Sequence, residues 1–570
     1  MSTELSQPSA PAAGGGGEPP DLARCPRVRV MDVEYVHVRL PGGDDLYLTP
    51  HGVPLAERLM PDRYWTDEAW SLANRQRLNG TSAIYRIRTK GGDSAAAGGR
   101  DIVLKWNRMG QDVPGATRVR GGAGAEFNSP FEEFSLTSEL RGSRAPAGPR
   151  VRTHKPLAIY VPAKKVAPDR LGRRLHLLEA KQEDHWEIDL DFQRNYAVIY
   201  EWIKGVDAAE ALAQGRIARE ALAALVERAD RELRGRGFVM RDNKPENLIV
   251  RPRGPSGLAA GRDGLPLYAA IDFELLQRTP QREREVRAAK RRQYLLKQAR
   301  RFEAGTSLPP HLRRVSILGV DYVHGPTETT GGALWVVGRD GDLFDYFLPE
   351  KWRRTPRMRL SVINQVYETT TKDNIRLVWR VSRVGEQPDT DPFKADEKRI
   401  GDHGYNSPFE EVALAMQLSA ACIGAIYPRA IYMTGDRSGL SAALSDDRRY
   451  ATHASLRTPD GRPVLCKGHD YIILWGYWNG PDELLAARDD PPYTSINALQ
   501  AWRDGLLDEP TYLKLMQRAR GRLAEVSIED LNLRGTHLLL SRLADGTLAR
   551  DADGLPSVLI CNFELLRYVP

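Results

Sequence analysis

The sequence predicts an α+β protein made of two tandem domains that are copies of one another. Its 570 residues exceed what a single hydrophobic core normally holds. Strand-like runs and helical spacing alternate within each half. Four short motifs also recur in the same order and at nearly the same spacing: Val33–His37 as Val320–His324, Asn128–Glu133 as Asn406–Glu411, Asp263–Pro266 as Asp553–Pro556, and Ile271–Leu276 as Cys561–Leu566. A period as long as a domain indicates two tandem copies and not a solenoid of short repeats.

The repeated motifs and the composition set the predicted boundaries. Residues 1–26 are rich in Gly, Pro, Ala and Ser and contain few apolar groups, so they are predicted to be a disordered tail. The first copy is predicted over 27–277 and the second over 312–570. The basic stretch between them, 278–311, is predicted to be a helical linker.

Composition narrows the class of protein. The chain has 82 basic and 75 acidic residues, a small excess that is spread along it, so a nucleic acid is not the favoured partner. No apolar run is long enough to span a bilayer, and Met1–Gln7 lacks the features of a secretory leader, so no membrane partner is expected. Four cysteines without metal-site spacing fit a reducing cytoplasm.

In the first copy, the elements begin with two strands and a helix. Ile84–Ile87 and Ile102–Trp106 are strand-like because they are β-branched and aromatic. Gly91–Gly99 and Gly110–Gly124 are predicted to be loops. The run Ser129–Glu132 predicts a helix start, with serine as the cap, proline in the first turn and glutamate three residues after the cap.

The second half of this copy continues the mixed pattern. Tyr196–Ile203 is predicted to be a buried strand, and Ala208–Leu233 has helical spacing in residues that favour helices. Leu248–Val250 and Tyr268–Ile271 are predicted to be short strands on either side of a loop rich in Gly and Pro.

A polar run between these elements is the most specific chemical signal. Arg241–Asn247 contains Asp242, Lys244 and Asn247, and Asp272 with Phe273 follows the next predicted strand. In residue type, spacing and context this arrangement resembles the catalytic loop and metal-binding strand of the protein kinase superfamily. The alternative is that these polar side chains only cap turns and strand ends.

The resemblance implies an ATP- and Mg²⁺-dependent phosphotransferase. Asp242 would orient the attacking hydroxyl and accept its proton, and Lys244 would offset charge on the transferred phosphoryl group. Asn247 and Asp272 would hold Mg²⁺ against the nucleotide phosphates.

Upstream residues complete the expected nucleotide site. Lys105 matches the strand lysine that grips the phosphates, and Glu133 matches the helix glutamate that pairs with it, whereas Glu132 is assigned to the helix cap. Taken alone, each is also compatible with an ordinary solvated face.

Two further segments resemble nucleotide contacts less specifically. Gly80 and Ser82 match the position of the glycine-rich loop, with backbone N–H groups toward the phosphates, although an ordinary hairpin turn fits as well. Glu201 and Trp202 match the hinge segment, where backbone groups would meet adenine.

Three departures from the family pattern shape the expected fold and substrate. Glu274 follows Asp272 and Phe273 where a glycine is usual, a variant similar to choline and aminoglycoside kinases. Met240 replaces the usual histidine of the catalytic loop, and no activation-segment signature follows Asp272. Each copy is therefore expected to have a small antiparallel N-terminal sheet and a reduced helical lobe, and the acceptor is either a protein Ser/Thr or a small molecule.

The second copy lacks most of these groups. We align it as follows: Arg380 at the place of Lys105, Val362 at Gly80, Asp530 at Asp242 with two extra residues after it, His537 at Asn247, and Asn562 at Asp272. An amide at the main metal position removes the charge that binds magnesium, and arginine is not a simple substitute for lysine. We expect this copy to be a regulatory, pseudokinase-like partner packed on the first. The alternative is that both copies are inactive nucleotide-binding domains that act as a scaffold.

Overall fold

The computed structural model describes residues 21–78, 83–91, 98–113, 126–142, 151–185, 188–303, 307–327, 330–361, 364–391, 393–437, 446–478, 483, 487 and 493–569. The chain forms two compact units that divide between Glu283 and Arg284. Most of the predicted tail falls outside the described residues. The structure does describe the last residues of the tail, from Asp21 onward. Among them, the side chains of Leu22 and Cys25 are partly buried against an apolar core of the first unit.

The first unit is organised around an eight-stranded antiparallel sheet. Its strands, in chain order, are β1 (Arg27–Val30), β2 (Val33–Arg39), β3 (Asp45–Leu48), β4 (Arg75–Arg77), β5 (Ile84–Arg88), β6 (Asp101–Trp106), β7 (Pro156–Val161) and β8 (Ala197–Glu201). They lie in the order β1-β2-β3-β7-β8-β6-β5-β4. The α+β class is confirmed, but the sheet is larger than the small one predicted, because three strands come from 27–48.

The remaining elements of the first unit are shorter. The helices are α1 (Ala56–Leu59), α2 (Glu68–Asn74), α3 (Pro130–Gly142), α4 (Leu175–Asp184), α5 (Ala208–Ala213) and α6 (Arg219–Arg234). The strands are β9 (Val206–Asp207), β10 (Phe238–Met240), β11 (Leu248–Val250), β12 (Pro252–Arg253), β13 (Gly257–Leu258), β14 (Tyr268–Ala270) and β15 (Leu276–Arg278). They pair as β10-β15, β14-β11-β9 and β12-β13.

The predicted helix over 208–233 is two helices. Gly215 follows α5 with a φ of +66°, a left-handed conformation that ends a helix and that glycine adopts without strain. After this break, α6 buries Leu222, Leu225, Ala229 and Leu233 on one face, as the helical spacing predicted.

The repeated Asn-Ser-Pro motif both starts helix α3 and fixes a distant loop. The Ser129 hydroxyl accepts from the Glu132 N–H at 3.1 Å, and the Glu132 carboxylate accepts from the Ser129 N–H at 2.6 Å, which confirms the predicted capping box. The buried Asn128 amide donates to the carbonyls of Phe273 and Leu276 at 3.0 and 2.9 Å. The chain that follows Asp272 is therefore tied to the start of α3.

Replacing Asn128 by alanine is expected to lower the unfolding free energy of the first unit by about 1–3 kcal/mol, because two buried hydrogen bonds are lost. The Phe273 carbonyl keeps the N–H of Leu276 as a donor at 3.1 Å. Denaturant unfolding, with hydrogen exchange to assign the transition to a unit, measures the loss of stability. In the second unit Asn406 donates to Phe563 and Leu566 at 2.8 and 2.7 Å. Asn406→Ala should therefore destabilise that unit alone, and a loss below about 0.5 kcal/mol in both would contradict the role.

Helix α7 (Pro280–Ala299) covers most of the predicted basic linker. Its residues Tyr294 and Leu295 are buried with Phe347 and Trp352 in an apolar cluster of the second unit. The helix is confirmed, and its second half belongs to the core of the second unit.

The second unit contains an antiparallel sheet of the same strand order. Its strands are β16 (Arg313–Ile317), β17 (Val320–Thr327), β18 (Gly332–Val337), β19 (Arg357–Arg359), β20 (Val366–Thr370), β21 (Arg376–Val381), β22 (Pro428–Arg437) and β23 (His469–Gly476). They lie in the order β16-β17-β18-β22-β23-β21-β20-β19. Each strand thus occupies the position of its counterpart in the first sheet.

The rest of the second unit also follows the first. The strands are β24 (Tyr493–Asn497), β25 (Ile528–Asp530), β26 (Leu538–Leu543), β27 (Val558–Ile560) and β28 (Leu566–Tyr568), paired as β24-β26-β27 and β25-β28. The helices are α8 (Ala395–His403), α9 (Pro408–Ala420), α10 (Arg448–Thr452), α11 (Ala498–Arg503) and α12 (Glu509–Glu525). Within the described ranges, no helix of either unit combines the length and apolarity needed to cross a membrane.

Strand pairing corrects the alignment of the second copy. Met240 pairs with Leu276 in the first unit, and Asp530 pairs with Leu566 in the second. Asp530 therefore stands at the place of Met240, and the loop contains no extra residues. Counting from this pairing puts Asn532 at the place of Asp242, so the second unit lacks the predicted base as well as the predicted metal carboxylate.

Candidate active site

Three elements of the first unit bring the predicted catalytic residues together. Lys105 lies on the interior strand β6. Asp242 and Asn247 lie on the loop between β10 and β11, and Asp272 follows β14. The Ile271 N–H donates to the Asn247 carbonyl at 3.0 Å, which joins the loop to the segment that carries Asp272. Asp272 itself has a φ of +66°, a conformation that few residues other than glycine adopt.

Lys105 is buried between two carboxylates. Its Nζ contacts Asp272 Oδ1 and lies 2.8 Å from Glu274 Oε2. Burial alone would lower the pKa of the Lys105 ammonium, but Asp272 and Glu274 raise it above its usual range. For the Asp272 carboxyl, burial raises the pKa but the charge of Lys105 lowers it, and the net shift is downward. Both groups are therefore charged at neutral pH.

Asp242 lies beside Asn247 and Lys244. The Asn247 amide donates to the Asp242 backbone carbonyl at 3.0 Å and to its Oδ2 at 3.3 Å, and Lys244 Nζ lies 3.6 Å from the same Oδ2. The other oxygen, Oδ1, is buried without a hydrogen-bond partner among the described residues. Burial and then the charge of Asp272 raise the pKa of Asp242, as suits a group that accepts a proton.

Three carboxylates form a cluster with the geometry of a cation site. Ligand oxygens of Asp242, Asp272 and Glu274 all lie within 4.8 Å of one another. Oxygen ligands of this kind fit Mg²⁺. Asp242 Oδ1, which has no hydrogen-bond partner among the described residues, can still accept a ligand. The predicted ligand Asn247 is buried, but its amide nitrogen is bonded to Asp242. The structure thus brings three carboxylates together, whereas Asp272 was the one carboxylate among the predicted metal ligands.

Glu133 does not pair with Lys105. It is fully buried on α3, where its Oε1 accepts from the Tyr200 hydroxyl at 2.7 Å and its Oε2 lies 3.5 Å from the Asn107 amide. Burial raises the pKa of Glu133 to about 7, against the lowering effect of Lys105. The prediction of a Lys105–Glu133 ion pair is therefore wrong for this structure, because neutral donors occupy the carboxyl oxygens.

The buried Glu133 is expected to make stability depend on pH. Its pKa rises from 4.5 to about 7 on folding, so the folded state binds the proton more tightly. The stabilisation is complete below pH 4.5 and is lost as the pH rises through about 7. Relative to wild type, Glu133→Gln should gain on the order of 1–3 kcal/mol of unfolding free energy between pH 5 and pH 8. Denaturant unfolding at both values measures this, with exposed Glu220→Gln as the control; a pH-independent difference would contradict the assignment.

The predicted nucleotide contacts outside this cluster are less complete. The Glu201 N–H donates to the Lys155 carbonyl at 3.0 Å, so this donor is already occupied within the sheet. Trp202 follows β8, and the Arg86 guanidinium lies 4.6 Å from its ring centre. Gly80 and Ser82 lie outside the described residues.

Two residues of the cluster escaped the sequence analysis. Glu274 was noted only as a departure from a glycine, yet it is 1% exposed and contacts Lys105. Arg108 donates from Nε to Glu274 at 3.2 Å and makes a second contact through Nη2. The available signal was the repetition of this glutamate as Glu564 in the second copy.

In the second unit, hydrogen-bonded side chains occupy the position equivalent to the Lys105 and Asp272 cluster. Arg380 contacts Glu411 through Nη2 and lies 2.6 Å from Glu564 through Nη1. His537 lies 3.1 Å from Asp530 and 3.2 Å from the Asn562 amide. The Cys561 N–H donates to the His537 carbonyl at 2.9 Å, as Ile271 does to Asn247. The framework matches, but the amides Asn532 and Asn562 replace the acids Asp242 and Asp272, and His537 replaces the amide Asn247.

No family model and no curated protein matches the chain. Comparison with solved structures does give matches. The kinase PK-1 of Cydia pomonella granulovirus is 15% identical over 37% of this chain and 55% of its own, with a TM-score of 0.18. Rv3197 of Mycobacterium tuberculosis, solved with erythromycin, is 16% identical over 46% of this chain and 62% of its own, with a TM-score of 0.16. This chain therefore spans less than two thirds of either protein, and at such TM-scores neither similarity bears on function.

Proposed function

We propose that the first unit is an ATP- and Mg²⁺-dependent phosphotransferase with a protein-kinase-like site, and that the second unit regulates it without transferring phosphate. One observation carries the proposal: Lys105, Asp242 and Asp272 converge in one cluster, with Lys105 in contact with Asp272 and the two acids within 4.8 Å. Residues that only capped turns would have no reason to meet.

Each side chain has a role that its chemistry allows. Asp242, with its pKa raised and one oxygen unpartnered, orients the acceptor hydroxyl and takes its proton. Lys244 is partly exposed beside it and offsets negative charge on the transferred group. Lys105 contributes a buried, permanently charged ammonium for the nucleotide phosphates.

Magnesium fits the carboxylate cluster. Asp272 and Asp242 would hold the ion through hard oxygen ligands. Both oxygens of Glu274 already contact Arg108, so Glu274 is not counted among the ligands. When bound, the ion neutralises charge on the nucleotide phosphates. Asn247 steadies the Asp242 carboxylate through its amide nitrogen, and its side-chain oxygen would serve as a further ligand.

The acceptor is a hydroxyl of either a protein Ser/Thr or a small molecule. The four cysteines are all unpaired, which supports a reducing cytoplasm as the site of action. The second candidate is a pair of inactive nucleotide-binding domains that act as a scaffold. It is favoured by the engagement of Glu133 with Tyr200 instead of Lys105.

The experiment that tests the proposal is transfer of label from γ-labelled ATP. The purified chain is incubated with Mg²⁺, and with general protein substrates, aminoglycosides and choline as small-molecule hydroxyl acceptors, beside Asp242→Asn. Label on an acceptor or on the chain itself, lost in the variant, supports the phosphotransferase. Binding of ATP without any transfer or hydrolysis would favour the scaffold, and no binding would exclude both.

A further inference from the structure

The buried ammonium of Lys105 has a carboxylate partner in Glu274. The 2.8 Å distance from Lys105 Nζ to Glu274 Oε2 is that of a charge-assisted hydrogen bond. Glu274 is 1% exposed and Lys105 is 4% exposed, so water does not screen the pair. An ion pair buried in this way strongly constrains where each charge can lie.

Glu274 is itself held from several sides. Arg108 binds its carboxylate through Nε at 3.2 Å and through Nη2. The Asn128 N–H donates to its backbone carbonyl at 2.8 Å. The Arg108 guanidinium in turn lies 4.1 Å from the Phe127 ring centre. Glu274 is therefore fixed independently of Lys105, as a group that positions another must be.

The same arrangement recurs in the second unit. Glu564, at the place of Glu274, lies 2.6 Å from Arg380 at the place of Lys105. It is retained even though the neighbouring metal carboxylate has become Asn562. Pairing between this glutamate and the strand cation is thus separable from metal binding.

The different head groups of Lys105 and Arg380 account for the different partners of the helix residues Glu133 and Glu411. Arginine has two terminal nitrogens, and Arg380 reaches Glu411 with one and Glu564 with the other. Lysine has one ammonium, and Lys105 lies with Glu274 while Glu133 is bonded to Tyr200. The single nitrogen of Lys105 contacts Asp272 and Glu274, and it does not extend to Glu133 as the second nitrogen of Arg380 extends to Glu411.

We propose that Glu274, and not the helix residue Glu133, is the positioning residue that holds Lys105 for a nucleotide phosphate. The inference rests on the proposed function for its ligand, but the ion pair itself can be tested without any ligand. For this role, it is sufficient that the fixed carboxylate of Glu274 holds the ammonium of Lys105 where an anion can bind it.

The ligand-free test is a pair of double-mutant cycles in melting temperature, on Lys105→Met with Glu274→Gln and on Lys105→Met with Glu133→Gln. Lys105→Met and Glu274→Gln should each lower the melting temperature of the first unit by roughly 5–15 °C, and the double variant by little more than either one. The cycle with Glu133→Gln should show the smaller coupling, because the charge of Lys105 acts on Glu133 without an ion-pair contact. Additivity with Glu274 and coupling with Glu133 would overturn the proposal.

The positional role is tested by equilibrium binding of Mg·ATP. Glu274→Gln should weaken binding by about 10-fold, as expected for loss of one charge-assisted contact, and Glu133→Gln by less than about 2-fold. In the Lys105→Met background Glu274→Gln should cause no further loss. A loss confined to Glu133→Gln would refute the role. If wild type binds no Mg·ATP, the proposed function fails, whereas the melting cycles still decide the pairing.

Should Glu274→Gln not fold, Glu274→Asp replaces it in both measurements. The aspartate keeps the charge but is one methylene shorter, so coupling to Lys105 should fall and Mg·ATP binding should weaken by about 2- to 3-fold. Unchanged coupling and affinity in this variant would also contradict the proposal.

Discussion

Replacement of Asp242 by asparagine is expected to slow phosphoryl transfer by about 10²- to 10⁴-fold, the range for loss of a general base. The amide cannot accept a proton, while its shape is that of the carboxylate. Lys105 and Asp272 are untouched, but Asp242 is also one of the carboxylates of the cation site, so affinity for Mg·ATP should fall, by less than in a variant of Asp272. The second unit carries this exchange naturally, with Asn532 at the place of Asp242.

Steady-state rates and a separate nucleotide-binding measurement test this expectation. Exposed Asp62→Asn, in the same unit, is the matched control for loss of one negative charge. A rate in Asp242→Asn that stays within about 3-fold of wild type would show that another group performs the proton transfer.

Replacement of Asp272 by asparagine is expected to abolish detectable transfer and to weaken Mg·ATP binding by at least about 10- to 100-fold, since even residues outside a ligand set change metal affinity by that factor. The exchange removes the negative charge of a residue that contacts Lys105 and belongs to the carboxylate cluster. It also reproduces Asn562 of the second unit.

The readout for this variant is the rise in melting temperature on titration with ATP and Mg²⁺. Asn562→Ala is the matched control, because the second unit is expected to bind no metal. Equal stabilisation of wild type and Asp272→Asn would contradict a metal role for Asp272.

The catalytic loop is the part of the site that the sequence predicts best. Asp242, Asn247 and Asp272 are close in the chain to short strands, and antiparallel pairing of Leu248 with Ala270 brings them together. Spacing alone was sufficient here because the strands leave one register that buries the apolar side chains.

The partner of Lys105 could not be predicted in the same way. Glu133 and Glu274 are both buried close to it, and the choice depends on which carboxylate the ammonium reaches and on which neutral donors occupy the other. The two choices differ by side-chain placements of an ångström or so between segments distant in the chain, as expected for close packing, and no residue pattern encodes them.

The second copy shows a different limit of sequence reasoning. Matching Asp530 to Asp242 by residue type required two extra residues, whereas the pairing of Asp530 with Leu566 leaves none. Likewise, the size of the sheet was underestimated, because the pairing of β1 to β3 is decided by burial of side chains such as Tyr35 and Leu46.

Calorimetric titration of the whole chain with Mg·ATP is the most direct measurement of the central claim, that one cluster of Lys105, Asp242 and Asp272 forms a single metal-nucleotide site. One nucleotide should bind per chain, and binding should be lost in Asp272→Asn and retained in Asn562→Ala. No binding, two equivalent sites, or binding that survives Asp272→Asn would contradict the claim.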